Sequence, residues 1–288
     1  MDVMEKAIFY VDFCFEAGSD EYGCNVSGRY QFGLELTDDE YEELYQIWYD
    51  QNELNSWTTE WDGHEALYQK INGVAVYALD KYLEQCQRYG IFLSFTTDPM
   101  IDETRELTSI AISEATVRDI PVWVLTKCST FIYDECNFMA WMEAINPIYR
   151  DRIHFGFTLT GCDDMEPKAN TNADRIMAMR RMHLMGFSTF ASIEPVIDWQ
   201  SAERVVREAM TWCDHFKLGL RSGVKKDYYN IAESGAAIMR IVQSVESFGK
   251  TIYLKESTRK LLQQYLQPGA YEAFLSHTVD LDGNRITL

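Results

Sequence analysis

The stretch TFASIEPVID, residues 189–198, decides the fold that we expect for this chain. Residues 189–193 are apolar, small or β-branched, which is typical of a buried strand. Glu194 and Pro195 follow together, and proline has no backbone N–H to donate to a sheet. The stretch therefore predicts a strand that stops on a carboxylate. Such a carboxylate is a ligand group, the partner of a buried cation or a solvated loop residue.

Similar apolar runs recur through residues 91–288, and each is followed by a helical pattern. The predicted strands are Ile91–Phe95, Val122–Leu125, Ile153–Thr158, Ser188–Ile193, His215–Leu220 and Thr251–Leu254. The predicted helices are 102–118, 133–146, 171–185, 201–211, 230–248 and 257–266. Six strand-then-helix units with almost continuously apolar strands indicate a parallel sheet covered by helices. With right-handed crossovers, we expect an α/β fold, a partial (β/α)6 TIM-like barrel, over residues 91–288.

Residues 1–90 differ from the rest of the chain in charge. They hold 19 acidic and 5 basic side chains, whereas residues 91–288 hold 26 acidic and 21 basic ones. Apolar runs at 7–15 and 29–36 predict strands, and 37–50 and 64–88 have helical patterns. We therefore expect a small acidic α+β unit over residues 1–90, followed by the barrel domain over 91–288.

Composition excludes several classes of function. The net charge of -19 repels phosphate backbones, so nucleic-acid binding is not expected. The sequence has no apolar run of 18 residues and no N-terminal signal pattern, so we expect a cytoplasmic protein without a membrane partner. Its seven cysteines form no C-x-x-C pair and are odd in number, which favours reduced thiols over a disulfide framework.

Polar side chains gather where the predicted strands end. Lysine or glutamate follows a buried strand directly three times, as Lys127, Glu194 and Lys255. Because functional groups of parallel barrels collect at the carboxyl ends of strands, we expect a polar pocket there. Glu194 either faces that pocket together with Lys127 and Lys255, or it forms an internal ion pair or an ordinary loop carboxylate.

Three segments carry a family resemblance. They are FLSFTTDPMIDETRELT (92–108), VWVLTKCSTFIYD (122–134) and the run from IHFGFTLT to FASIEPVI (153–197). The pieces S-x-x-T-D-P, L-T-K-x-S and F-T-L-T followed by E-P occur in them in this order. Together they resemble the radical S-adenosylmethionine superfamily, and within it the spore photoproduct lyase-like proteins.

The resemblance implies a partial barrel with S-adenosylmethionine across the strand ends. By motif, Ser94, Thr96, Lys127 and Thr158 correspond to the residues that hold the methionine moiety. Lysine suits a carboxylate as a point charge, and hydroxyls both donate and accept hydrogen bonds. Glu194 would accept from a ribose hydroxyl or from a substrate. The motifs assign no catalytic residue.

One family feature is absent from the sequence. The resemblance implies a [4Fe–4S] cluster held by C-x-x-x-C-x-x-C, and no such spacing occurs in the chain. The sequence therefore does not support a cluster or another metal site. Asp163, Asp164 and Glu166 are either oxygen ligands of a divalent ion or residues of a solvated loop.

Two other functions fit the sequence. In one, the chain is a non-catalytic interaction protein whose acidic residues 1–90 bind a basic partner. In the other, it is a different barrel enzyme that uses Lys127 or Lys255 as a Schiff-base amine. We expect a barrel that binds S-adenosylmethionine or a related nucleoside.

Overall fold

The computed structural model describes residues 9–12, 31–32, 83–93, 98–135, 137–225 and 227–279. The chain divides into two compact units, Met1–His154 and Phe155–Leu288. The described strands are β1 (Phe9–Asp12), β2 (Gln31–Phe32), β3 (Ile91–Leu93), β4 (Val122–Thr126), β5 (Ile153–Thr158), β6 (Ser188–Val196), β7 (His215–Leu220) and β8 (Thr251–Leu254). The described α-helices are α1 (Leu83–Tyr89), α2 (Asp102–Val117), α3 (Phe138–Ala144), α4 (Asn172–Leu184), α5 (Trp199–Ala209), α6 (Ile231–Ser247), α7 (Glu256–Tyr265) and α8 (Pro268–Leu275).

The first unit contains a sheet in which the order of the strands is β2-β1-β3-β4. β3 lies parallel to both β1 and β4, and β2 is antiparallel to β1. Ile91 pairs with Val122 and Leu93 pairs with Val124, and all four side chains are fully buried. α2 connects β3 to β4, as the alternation of strand and helix in the sequence predicts.

The second unit contains residues 155–158 of β5, followed by β6, β7 and β8 in sequential order. β6 is parallel to β7, and β7 is parallel to β8. α4 and α5 contact β6, α7 contacts β7, and α6 contacts β8. Each β-then-α crossover therefore returns a helix to the sheet, and the helices bury the apolar side chains of the strands.

Side-chain caps begin three helices of the second unit. Thr171 accepts from the backbone N–H of Asp174 ahead of α4, and Asp198 accepts from that of Ser201 ahead of α5. Asn230 accepts from a first-turn N–H of α6 in the same way. Each cap satisfies an N–H that has no carbonyl partner within its helix, so these short polar residues fix where the crossovers begin.

The six strands predicted over residues 91–288 correspond to β3 to β8, which confirms the α/β class. The helix predicted over 133–146 is shorter, because a 3-10 turn (Thr130–Tyr133) precedes α3. α8 was not predicted. β1 and β2 lie inside the two strands that were predicted before residue 37. Most of residues 1–82, including the helix predicted over 37–50, lies outside the described residues, so the acidic unit over 1–90 and its boundary stay predictions.

The prediction that the strand stops at Glu194 is wrong, because β6 continues to Val196. Ile193 pairs with Leu218 and Val196 pairs with Leu220, so β6 has one more residue than β7 between these pairs. This irregularity is a β-bulge, and it places Glu194 and Pro195 outside the regular ladder. A bulge tolerates proline because no ladder N–H is needed there.

A buried arginine ties the end of β5 to the start of α4. Arg175 is 0% exposed, and its Nη1 donates to the carbonyl of Thr158 at 2.7 Å and to Glu166 Oε2 at 3.0 Å. Its Nε donates to the carbonyl of Asn170 at 2.8 Å. Glu166 also accepts from the hydroxyl of Thr160 at 2.9 Å. The loop that follows β5 is therefore held by one charged network.

Replacing this arginine should unfold the second unit more easily. Arg175→Met removes the cation that pairs with Glu166 and leaves the carbonyls of Thr158 and Asn170 without their arginine donor, so we expect a loss of ~3 kcal/mol in the free energy of unfolding. Urea denaturation followed by circular dichroism measures it. Arg207→Met, on the exposed side of α5, is the matched control and should change stability by less than ~0.5 kcal/mol. Equal losses in both variants would contradict the prediction.

Candidate functional site

The strands of the second unit have one apolar and one polar face. Where two parallel strands pair in register, the side chains of the two paired residues point to the same face of the sheet. Ala191 pairs with Phe216, and Phe216 with Ile252; all three are at most 1% exposed. The alternate positions carry polar groups instead. Two register rows cross β6, β7 and β8: Phe190, His215 and Thr251; and Ser192, Lys217 and Tyr253. Toward the carboxyl ends, Glu194 of the bulge and Lys255, which follows β8, meet over Gly219, and we call these three residues the third row.

The row nearest the carboxyl ends holds an ion pair. Lys255 Nζ donates to Glu194 Oε2 across Gly219, although the two residues are 61 positions apart in the chain. A Cβ on Gly219 would lie 2.5 Å from Glu194 Oε1 and 2.9 Å from Lys255 Cδ. Glycine at this position therefore leaves the room in which the two side chains meet. About a third of each side chain is exposed, so the pair is accessible from solvent.

The middle row holds a lysine in an unusual environment. Lys217 Nζ lies 4.6 Å from the centroid of the Phe190 ring, and Ser192 and Tyr253 are its register partners on the two neighbouring strands. The pKa of Lys217 is lowered to about 8, mainly by burial and next by the positive charge of Lys255, while the charge of Glu194 acts in the opposite direction. The amine is therefore easier to deprotonate than an ordinary lysine.

The first row closes the polar face toward the amino ends of the strands. His215 Nδ1 and Thr251 Oγ1 are 2.8 Å apart. The Phe190 ring fills the space beside Gly156 of β5, where a Cβ would lie 2.0 Å from the ring. The Phe190 ring therefore lies on the side of Lys217 toward the amino ends of the strands, and the ion pair lies on the side toward their carboxyl ends.

Thr158, which the sequence predicted as a ligand residue, lies at the end of β5. Its residue is 6% exposed, and its carbonyl accepts from Arg175, as described above. It therefore sits at a fixed position at the end of a strand that neighbours β6.

Lys127, in the first unit, is positioned by a buried aspartate. Asp98 Oδ2 accepts from the backbone N–H of Lys127 at 2.7 Å, and Oδ1 accepts from the hydroxyl of Thr126 at 2.6 Å and from Met100 N at 2.9 Å. Asp98 is 7% exposed. One carboxylate therefore fastens the residues after β3 to the end of β4. Ser94 and Thr96 lie outside the described residues.

The described thiols do not fit a metal centre. Cys128 is buried with its Sγ 3.1 Å from Thr130 Oγ1, and Cys162 donates to Asp198 Oδ2 at 3.3 Å. Burial raises the pKa of Cys162, which opposes thiolate formation. Within the described ranges, no group of three or more His, Cys, Asp or Glu side chains is arranged to hold a metal ion. Cys14, Cys24 and Cys136 lie outside them.

The acidic residues of the loop after β5 serve the loop itself. Asp163 Oδ1 accepts from Asn172 N at 2.7 Å, and Glu166 binds Arg175 and the hydroxyl of Thr160. Asp164 is exposed. Of the two interpretations left open by the sequence, these contacts favour a loop over oxygen ligands.

Sequence reasoning missed Lys217, Gly219 and Tyr253. The signal was present in HFKLGL and TIYLK, where polar and apolar residues alternate inside runs that look continuously apolar. A lysine in the middle of such a run indicates a strand with one polar face. Only the register shows that Lys217 and Tyr253 are neighbours.

Comparisons with known proteins give distant structural matches only. No protein-family model and no curated protein matches the chain. The crystal structure of Streptococcus suis SuiB bound to S-adenosylmethionine has a TM-score of 0.47 and 9% identity, over 70% of this chain and 50% of SuiB. SuiB bound to the precursor peptide SuiA has a TM-score of 0.44 and 10% identity, over 62% of this chain and 41% of SuiB. This chain thus spans about half the length of the solved chain that it matches.

None of the helices in the described ranges has the length and apolar character needed to cross a membrane.

Two glycine-to-alanine changes separate packing from the ion pair. In Gly156→Ala, the new methyl meets the Phe190 ring, which is buried at 2% exposure, so we expect a loss of ~1–3 kcal/mol in the free energy of unfolding. In Gly219→Ala, the methyl meets the far ends of two flexible side chains, which move aside. We expect that change to cost less than ~1 kcal/mol, as for an exposed ion pair. Urea denaturation distinguishes the two, and a reversed order would contradict the assignment.

Lys217 should destabilise the protein at low pH. Its pKa is lower in the folded chain than the ordinary 10.5, so the cost of burying the charge is full below pH 8 and disappears as pH rises to about 10.5. Lys217→Met should therefore raise the unfolding temperature relative to the parent protein at pH 6, and this gain should shrink above pH 8. Differential scanning calorimetry across pH measures it. Lys225→Met, at an exposed lysine, should give a difference that does not vary with pH in this way.

Proposed function

We propose that the protein binds S-adenosylmethionine or a related nucleoside at the carboxyl ends of its strands. The observation that carries the proposal is the placement of Lys127 at the end of β4. Its backbone is held by the buried carboxylate of Asp98, in the sequence context L-T-K-x-S that resembles the radical S-adenosylmethionine superfamily. A lysine fixed in this way offers a point charge to the carboxylate of a methionine moiety.

The remaining groups supply the other contacts in this proposal. By motif, Ser94 and Thr96 of the first unit correspond to residues that hydrogen-bond the amino-acid part of the ligand. Thr158 of the second unit corresponds by motif to a further residue of this kind. By the same resemblance, Glu194 would accept from a ribose hydroxyl, and its ion pair with Lys255 orients the carboxylate. From the motifs, we also propose that the chain resembles most the spore photoproduct lyase-like branch of this superfamily.

The proposed activity stops at binding. Because the described thiols do not fit a [4Fe–4S] cluster, we derive no radical step for this chain. The described residues bind and orient a ligand, and Glu194 with Lys255 can hold or move a proton at a ligand hydroxyl.

Calorimetry with S-adenosylmethionine tests the proposal, with protein prepared without added iron. Lys127→Ala removes the partner of the ligand carboxylate. A hydrogen bond to a charged group contributes ~1.5–3 kcal/mol, so we expect binding to weaken roughly 10- to 100-fold. Glu194→Gln should weaken binding less, because an amide oxygen still accepts a hydrogen bond.

Lys168→Ala, at an exposed lysine of the loop after β5, is the control and should leave the affinity unchanged. No binding by the parent protein would contradict the proposal. Equal weakening in the Lys127 and Lys168 variants would contradict the assigned site.

A further inference from the structure

The middle row of the polar face is a cluster built around one amine. Lys217 projects from β7 between its register partners Ser192 on β6 and Tyr253 on β8, with the Phe190 ring 4.6 Å from its Nζ. Lys217 is partly buried as a residue, and the pair of Glu194 and Lys255 that acts on it is about a third exposed, so a small molecule would approach from the side of this pair. Neither the motifs nor the proposed nucleoside site assigns a role to this residue.

Charged and titratable groups face Lys217 from both neighbouring strands. Glu194 belongs to β6 and Tyr253 belongs to β8, whereas Lys255 directly follows β8. From α7, Arg259 Nη2 donates to the Tyr253 hydroxyl at 3.3 Å, and its guanidinium lies 5.4 Å from the centre of that ring. The described cluster therefore combines one carboxylate, three cations and a phenol, in a chain that is strongly acidic overall.

These surroundings favour the neutral form of the amine. Burial removes water from around Nζ, and Lys255 places a second positive charge nearby, whereas the face of the Phe190 ring and the charge of Glu194 favour the ammonium form. On balance, the pKa of Lys217 is lowered to about 8. A neutral lysine amine is a nucleophile toward carbonyl carbon, whereas an ammonium group is not.

We propose that Lys217 is a nucleophilic amine that captures a small carboxylate-bearing aldehyde or ketone as an imine. The neutral Nζ attacks the carbonyl carbon, a C–N bond forms and the C=O π bond opens. The nitrogen then loses one proton and the oxygen gains one, which gives a carbinolamine. A second proton, taken up from solvent, lets that oxygen leave as water, and the C=N bond forms as a protonated imine.

Glu194 is suited to carry the protons of these steps. Its charge acts on Lys217, and its carboxylate is paired with Lys255, which keeps it near the amine. A carboxylate in this position can take the proton that the nitrogen releases and return it to the departing oxygen.

The charge of the cluster selects the class of ligand. With a protonated imine at Lys217, the charges of Lys255 and Glu194 cancel, and one positive charge is left among these three groups. A carboxylate on the ligand neutralises it, and Arg259, which contacts Tyr253, adds a further cation to the cluster. The ligand is therefore a small oxo acid, and its capture does not depend on nucleoside binding.

Reductive trapping tests this inference. Glyoxylate is incubated with the full chain and sodium cyanoborohydride, and peptide mass spectrometry locates the modified lysine. We expect the adduct on Lys217, its loss in Lys217→Arg, and its retention in Lys250→Arg, whose lysine pairs with Asp214 at 3.3 Å. In the parent protein, the rate should rise with a midpoint near pH 8, instead of near the ordinary lysine value of 10.5.

Several outcomes would overturn the inference. Modification of exposed lysines without modification of Lys217 would show that Lys217 is not the nucleophile. A rate at Lys217 whose pH midpoint lies near 10.5 would show the same. For acetaldehyde, which has no carboxylate, the ratio of the rate at Lys217 to the rate at an exposed lysine should be at least tenfold lower than for glyoxylate. Equal ratios for the two aldehydes would contradict the proposed class of ligand. The dependence of the rate on pH is measured on the parent protein, so this test does not require Lys217→Arg to fold.

Discussion

The in-register parallel pairing of β6, β7 and β8 is the constraint on which the polar face depends. Pairing fixes which residues share a face, and it sends Ala191, Phe216 and Ile252 toward one side of the sheet. The alternate residues must then face the other side, whatever their polarity. Burial of the apolar set stabilises the sheet by ~1.5–3 kcal/mol for each large side chain, which is enough to hold a lysine and a glutamate in the opposite rows.

Small residues make room for the charged groups. Gly219 leaves space for Glu194 and Lys255 to meet over β7, and Gly156 leaves space for the Phe190 ring that supports Lys217. The β-bulge at Glu194 and Pro195 has a related effect, because it takes these residues out of the ladder and lets β6 continue. The geometry of the site therefore depends on the absence of a side chain at the two glycines as well as on the charged residues.

The two proposals use different parts of this chemistry. The nucleoside proposal depends on Lys127, which Asp98 holds at the end of β4. The imine proposal depends on Lys217 and on the field of Lys255 and Glu194. Glu194 takes part in both, first as an acceptor and then as a proton carrier. Their ligands share an anionic carboxylate, and each proposal pairs that carboxylate with lysine in an otherwise acidic chain.

The sequence by itself determined the alternation of strands and helices over residues 91–288, because apolar periodicity is a local property that each segment carries alone. It also determined that Lys127, Glu194 and Lys255 follow buried strands, and it left an internal ion pair as one interpretation of Glu194. The tertiary structure decided that Lys255 is the partner of Glu194 within the second unit, that β6 continues through Pro195, and that Lys217 lies between Ser192 and Tyr253. These facts depend on the register between strands that are far apart in the chain, and register is a property of pairing that no single segment encodes.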